Sequence, residues 1–119
     1  MSKEARDIIE RRRHQRAAVS TTAVVLARSN DGVPFLIESL SIGGARLAGP
    51  LTLNNDEPVQ ILFELDGHPL DVRGEVIRVV DRTLDRDIVL VRFVDLADDA
   101  RELIREMVRR TLAAADGDR

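Results

Sequence analysis

The chain has 119 residues, of which 44% are hydrophobic and 33% charged, with a net charge of −3. That length accommodates one domain around a single core, and the absence of cysteine excludes a disulfide framework, a thiolate nucleophile and a thiolate metal site, as expected in a reducing compartment. No apolar run approaches the roughly 20 residues of a spanning helix and the charged N-terminus has no signal-peptide core, so a soluble, cytoplasmic protein is expected.

Charge is unevenly distributed. Residues 1–16 carry six basic and three acidic side chains, whereas the other 103 carry 12 basic and 18 acidic ones. Basic charge confined to one segment fits a small anionic ligand better than the broad footprint of a nucleic acid, which is therefore not expected as a partner. With Trp and Tyr absent, the core has to come from Val, Leu, Ile and three Phe.

Residues 3–11, KEARDIIER, have helix-forming composition but only Ile8 and Ile9 as an apolar patch, which predicts a short helix or a flexible arm over 1–9. Arg11, Arg12, Arg13 and Arg16 follow, four arginines in six positions. They read either as a solvated charge run ahead of a domain or as planar donor forks for phosphates and bases. Charge and spacing do not choose between the two.

From Ala17 the stretch AAVSTTAVVLA is β-branched and predicts a strand, and the turn chemistry of SNDGVP leads to a second strand in FLIESL. SIGGA predicts another turn before a short strand around Arg46 and Leu47. AGPLTLNNDEP reads as a longer polar connection. In VQILFEL, Val59, Ile61, Phe63 and Leu65 alternate with polar residues as in a half-buried strand, and Asp66-Gly67 predicts a hairpin turn into LDVRGEVIRVV. Arg78 falls on the alternating face of Val72, Val76 and Val80, which marks either a β-bulge or a polar residue aimed at a ligand. RTLDRD then separates this strand from IVLVRFV. Six short strands at hairpin spacing predict a mainly β protein, an antiparallel sheet closed into a small barrel.

The last element has helical periodicity. Ala100, Leu103, Ile104, Met107, Val108 and Thr111 form one stripe that should lie on the barrel. Asp98 and Asp99 at its start and Arg105, Arg109 and Arg110 toward its expected end match the helix dipole. The boundaries expected are an arm at 1–9, a domain at 10–112 and a frayed tail at 113–119. His14 and His68 lie far apart without a metal-ligand pattern, and no catalytic triad, phosphate loop or paired catalytic carboxylates occur in usable context, so neither metal, cofactor nor enzymatic activity is expected.

The second candidate binding element is ESLSIGGARL. Ser39 and Ser41 are two apart, hence on one side of an extended segment, and Gly43-Gly44 follow. Paired glycines permit positive φ and close approach of a ligand, and the two hydroxyls can both donate and accept; the same residues also make an ordinary tight turn.

With the arginine run, these features resemble the PilZ domain family, bacterial receptors for cyclic di-GMP marked by an RxxxR element and a (D/N)xSxxG element. Arg12 to Arg16 fits the first, and Ser41 and Gly44 supply the Ser and Gly of the second. The resemblance continues through GEVIRVV and VRFVDLADDARELI and covers about residues 10–110. It implies a six-stranded PilZ-like barrel with a C-terminal helix packed on it. Arg12 and Arg16 would contact phosphates and guanine faces, and Ser39 and Ser41 would address a guanine edge while Gly44 leaves backbone room. Arg11, directly before RxxxR, bears on whether one ligand molecule binds or a stacked pair. The implied function is a second-messenger receptor or adaptor whose N-terminal segment orders on binding and is then read by a protein partner. Ser39 stands where the family has Asp or Asn, a loss worth about 1–3 kcal/mol if a charge-assisted contact goes with it. The alternative is therefore a degenerate PilZ domain acting through protein contact alone.

Overall fold

A computed structural model of the chain describes residues 16–28, 31–83 and 85–117, with residues 115–117 described by backbone alone. The expected N-terminal arm, with Arg11, Arg12, Arg13 and His14, lies outside the described residues.

Six strands and one helix follow in order: β1 (Ala17–Ala27), β2 (Val33–Leu40), β3 (Gly44–Gly49), β4 (Pro58–Leu65), β5 (His68–Arg82), β6 (Asp87–Val94) and α1 (Asp98–Gly117). The strands close into an antiparallel barrel in the order β1-β2-β3-β6-β5-β4. This is the expected mainly β architecture with its C-terminal helix. It consists of two three-stranded meanders, β1-β2-β3 and β4-β5-β6, joined along two seams. One seam pairs β3 with β6 from Gly44↔Arg92 to Gly49↔Asp87, and the other pairs β1 with β4 from Val24↔Leu62 to Ala27↔Val59.

Alternation produces the inside of the barrel. In β4, Val59, Ile61, Phe63 and Leu65 are buried as their period predicts, and Ala23, Val25, Phe35, Ile37, Val89 and Val91 meet them. Small alanines share the core with the branched residues, which the composition alone does not announce. The hairpin at Asp66-Gly67 has φ of 50° and 79°, both left-handed, as a two-residue turn with the right twist requires.

In β5 the pairing slips between Val76 and Arg78 and again between Val79 and Asp81. Arg78 therefore marks a bulge, and Val80 is carried out to the surface, where it is 37% exposed. The connection from 50 to 57 is less polar than its sequence suggests, because Leu53 is fully buried. Its carbonyl accepts from Arg82 Nη2 at 3.0 Å, and the same guanidinium pairs with the buried Asp87 at 3.1 Å.

The apolar stripe of α1 places Ala100, Ile104 and Val108 in the core, with Leu103, Met107 and Leu112 beside them, and the helix rests against β1 and β4. Its end differs from expectation. The helix continues to Gly117 instead of fraying at 113, since three alanines extend it at little cost. Arg105, Arg109 and Arg110 consequently lie before the last turn, which contains no basic residue, and they act through ion pairs rather than the dipole. Arg105 pairs with Glu102, Arg109 with Glu106 at 2.6 Å, and Arg110 with Asp66 of the β4–β5 turn. The hydrogen bond from Arg109 holds the Glu106 carboxyl below its ordinary pKa. Among the described residues no helix is long and apolar enough to cross a membrane.

If the helix is an integral part of the core, Ile104→Ala lowers the unfolding free energy by about 2–5 kcal/mol in urea titration. Arg101→Ala on its solvent side changes it by about 0.5 kcal/mol or less.

Candidate functional site

The candidate site lies on the outer surface where β1, β2, β3 and β6 run side by side. β2 ends at Leu40, and the chain reverses through Ser41, Ile42 and Gly43 into β3. Ser41 closes this reversal in two ways: its backbone N–H donates to the Gly44 carbonyl at 2.9 Å, and its hydroxyl oxygen accepts from the N–H groups of Gly43 at 3.1 Å and Gly44 at 3.2 Å. The residue is only 3% exposed. A serine hydroxyl bonding the amides that follow it is a common turn device, and here both amides belong to the glycine pair.

The glycines serve the strand packing. Among the described residues the left-handed glycines are Gly32 and Gly67, so the positive φ that Gly43-Gly44 permits is not used. A Cβ on Gly44 would instead lie 2.0 Å from the carbonyl oxygen of Val91. Gly44 is thus required by the approach of β6, and the Gly43 carbonyl accepts from Phe93 N–H of the same strand at 2.9 Å. The turn is fastened to β6 from both sides.

Ser39 faces outward, half-buried, in register with Ala18 of β1 and Arg46 of β3. It does not share the direction of Ser41, whose hydroxyl turns inward to the loop. Arg16 immediately precedes Ala17, which pairs with Leu40, and Ala18 pairs with Ser39. This register brings the exposed Arg16 alongside the end of β2, next to the turn. Of the residues singled out in the sequence, the structure thus gathers Arg16, Ser39, Ser41 and Gly44, while Arg11 and Arg12 lie outside the described residues.

Two ion pairs also belong to this surface and were not singled out in the sequence as parts of a site. Arg46 pairs with Glu38 at 3.0 Å. Arg92, opposite Gly44, pairs with Glu75 at 3.1 Å. The spacing of Arg46 two residues after Gly44 would have put it on the outer face, but only the β3–β6 pairing reveals that Arg92 is its neighbour. Among the described residues no group of three or more His, Asp or Glu side chains is placed to hold a metal ion.

A model of the PilZ domain matches residues 10–110. The PilZ domain of YcgR from Escherichia coli, solved with c-di-GMP, aligns over 91% of this chain and 96% of its own with a TM-score of 0.73 and 16% identity. MrkH from K. pneumonia in its apo state aligns over 89% of this chain and 52% of its own, with a TM-score of 0.74 and 16% identity. The inhibitor of motility MotI/DgrA from Bacillus subtilis aligns over 92% and 53%, with a TM-score of 0.71 and 13% identity. The chain therefore spans about half the length of MrkH and MotI, and at these identities the likeness is one of fold. No curated protein matches the chain in sequence.

Two substitutions test the construction of the turn. Ser41→Ala leaves two turn amides without their acceptor and should lower the unfolding free energy by about 1–3 kcal/mol in chemical denaturation. Gly44→Ala should be worse than Ser41→Ala in the same measurement, because the atom it strikes is backbone and cannot rotate away.

Proposed function

The chain belongs to the PilZ domain family, and on that premise we propose that it is a receptor for cyclic di-GMP that signals by protein contact and performs no catalysis. The observation that carries this reading is the strand register that sets Arg16 beside the end of β2. A ligand lying on the outer face around Ser39 would then border Arg16, the last arginine of the RxxxR element.

The residues divide into contacting and positioning roles. Arg12 and Arg16 grip phosphate oxygens and stack on guanine faces, a task suited to a planar, permanently charged fork. Arg11, preceding the motif, influences how many ligand molecules are held. Ser39 presents its hydroxyl to the nucleotide. Ser41 is a positioning residue, since its hydroxyl is already committed to Gly43 and Gly44. Gly44 serves the site by admitting β6 rather than by making room for the ligand. The arm at 1–9 and the arginines after it would settle over the barrel on binding, and a protein partner would read the changed surface. YcgR, whose PilZ domain was solved with c-di-GMP, supports the choice of ligand by shared fold and family. The absence of a membrane-crossing helix among the described residues fits a receptor working in the cytoplasm.

Ser39 favours a second reading, in which the domain has lost the nucleotide and works by protein contact alone, because a hydroxyl replaces the family's Asp or Asn. Restoring Asp by Ser39→Asp raises affinity strongly if the native site is impaired and changes it little if the site is complete.

Isothermal titration with cyclic di-GMP discriminates between the readings. Saturable binding is expected for the native chain, with a loss of about 100-fold or more in the Arg12→Ala/Arg16→Ala double variant, on the scale of two charge-assisted contacts. Cyclic di-AMP should not bind. A flat trace with folded native protein would overturn the receptor reading.

A further inference from the structure

We propose that Glu38 is the specificity-determining carboxylate of this site, the group that accepts from the Watson–Crick edge of a bound guanine; this rests on the cyclic di-GMP reading above. That edge presents two adjacent donors, N1–H and the N2 amino group. Their complement is a carboxylate, with two acceptor oxygens side by side, whereas a serine hydroxyl accepts at one atom. Ser39 alone therefore leaves a donor of the edge without a protein partner.

The strand pairing supplies the missing group from the adjacent position. Between β2 and β3, Ile37 pairs with Leu47 and the next pair is Ser39 with Arg46. One residue of β2, Glu38, is thus extra, and the two residues Glu38 and Ser39 share a single partner in β3. Glu38 follows the buried Ile37 and so faces outward by plain alternation. The bulge turns Ser39 to that same outer face before Leu40 returns to the core, and beside Ser39 Glu38 Oε1 accepts from Arg46 Nε at 3.0 Å.

The carboxylate is both held and accessible. Its side chain is 28% exposed and that of Arg46 is 40% exposed, so the pair sits at the surface without being sealed. Arg46 fixes the orientation of the carboxylate through Oε1. Oε2, and the remaining lone pair of Oε1, stay open to a donor edge arriving beside Ser39.

The test compares cyclic di-GMP with cyclic di-IMP, which has the same ring and phosphates but lacks the N2 amino group, by calorimetric titration of the native chain, Glu38→Gln and Arg46→Gln. The native chain should prefer cyclic di-GMP by about 10-fold or more, on the scale of a bidentate contact to one base. Glu38→Gln should lose most of that preference. Arg46→Gln breaks the ion pair but keeps the carboxylate, and should retain the preference even if overall affinity falls. Equal weakening of both nucleotides in Glu38→Gln, with the preference intact, would assign Glu38 a structural role and overturn this inference while leaving the receptor reading in place. Binding of neither nucleotide by the native chain would overturn both.

Discussion

The closeness of β3 and β6 at Gly44 is the constraint on which the barrel and its candidate site both depend. The two meanders are separated by a connection through residues 50–57, and each could form its hairpins locally. Closing them into one barrel requires long-range pairing, and the β3–β6 seam begins where Gly44 lies against Val91. A methyl group cannot be accommodated between these backbones. Ser41 reinforces the seam by tying the amides of Gly43 and Gly44, and Phe93 N–H bonds back to Gly43.

That constraint positions the surface as well as the core. Because the turn is fixed against β6, the outward residues on either side of it, Ser39 and Arg46 on one flank and Arg92 on the other, keep a set spacing. Residues that resemble ligand contacts in the sequence can thus act one step removed. Ser41 and Gly44 hold the platform, and the residues beside them meet the solvent. Preorganisation of this kind reduces the ordering cost of binding on the barrel side.

Much of the fold was legible in the sequence for identifiable reasons. β4 and α1 each bury one face, so periods of two and of helical spacing appeared directly in Val59, Ile61, Phe63 and Leu65 and in Ala100, Ile104 and Val108. Asp66-Gly67 announced its own turn. What was not legible depended on tertiary partners. The burial of Leu53, the need for Gly44 and the adjacency of Arg92 all follow from pairing between residues some forty or more positions apart or from packing of an irregular segment. The bulge at Glu38 and Ser39 shows only as a three-residue step between the buried Ile37 and Leu40, whereas the one at Arg78 was marked by a charged residue on an apolar face. The end of α1 was misplaced because the apolar stripe stops before helix propensity does.

The central claim is that a cyclic dinucleotide is held between the arginine segment and the outer face of β2 and β3. It is tested most directly by amide chemical-shift mapping of the ¹⁵N-labelled chain during titration with cyclic di-GMP. The account predicts that the largest changes cluster at residues 11–18 and 38–46, with α1 and the β4–β5 turn little affected. Shifts confined to other surfaces, or a spectrum unchanged at saturating nucleotide, would contradict it.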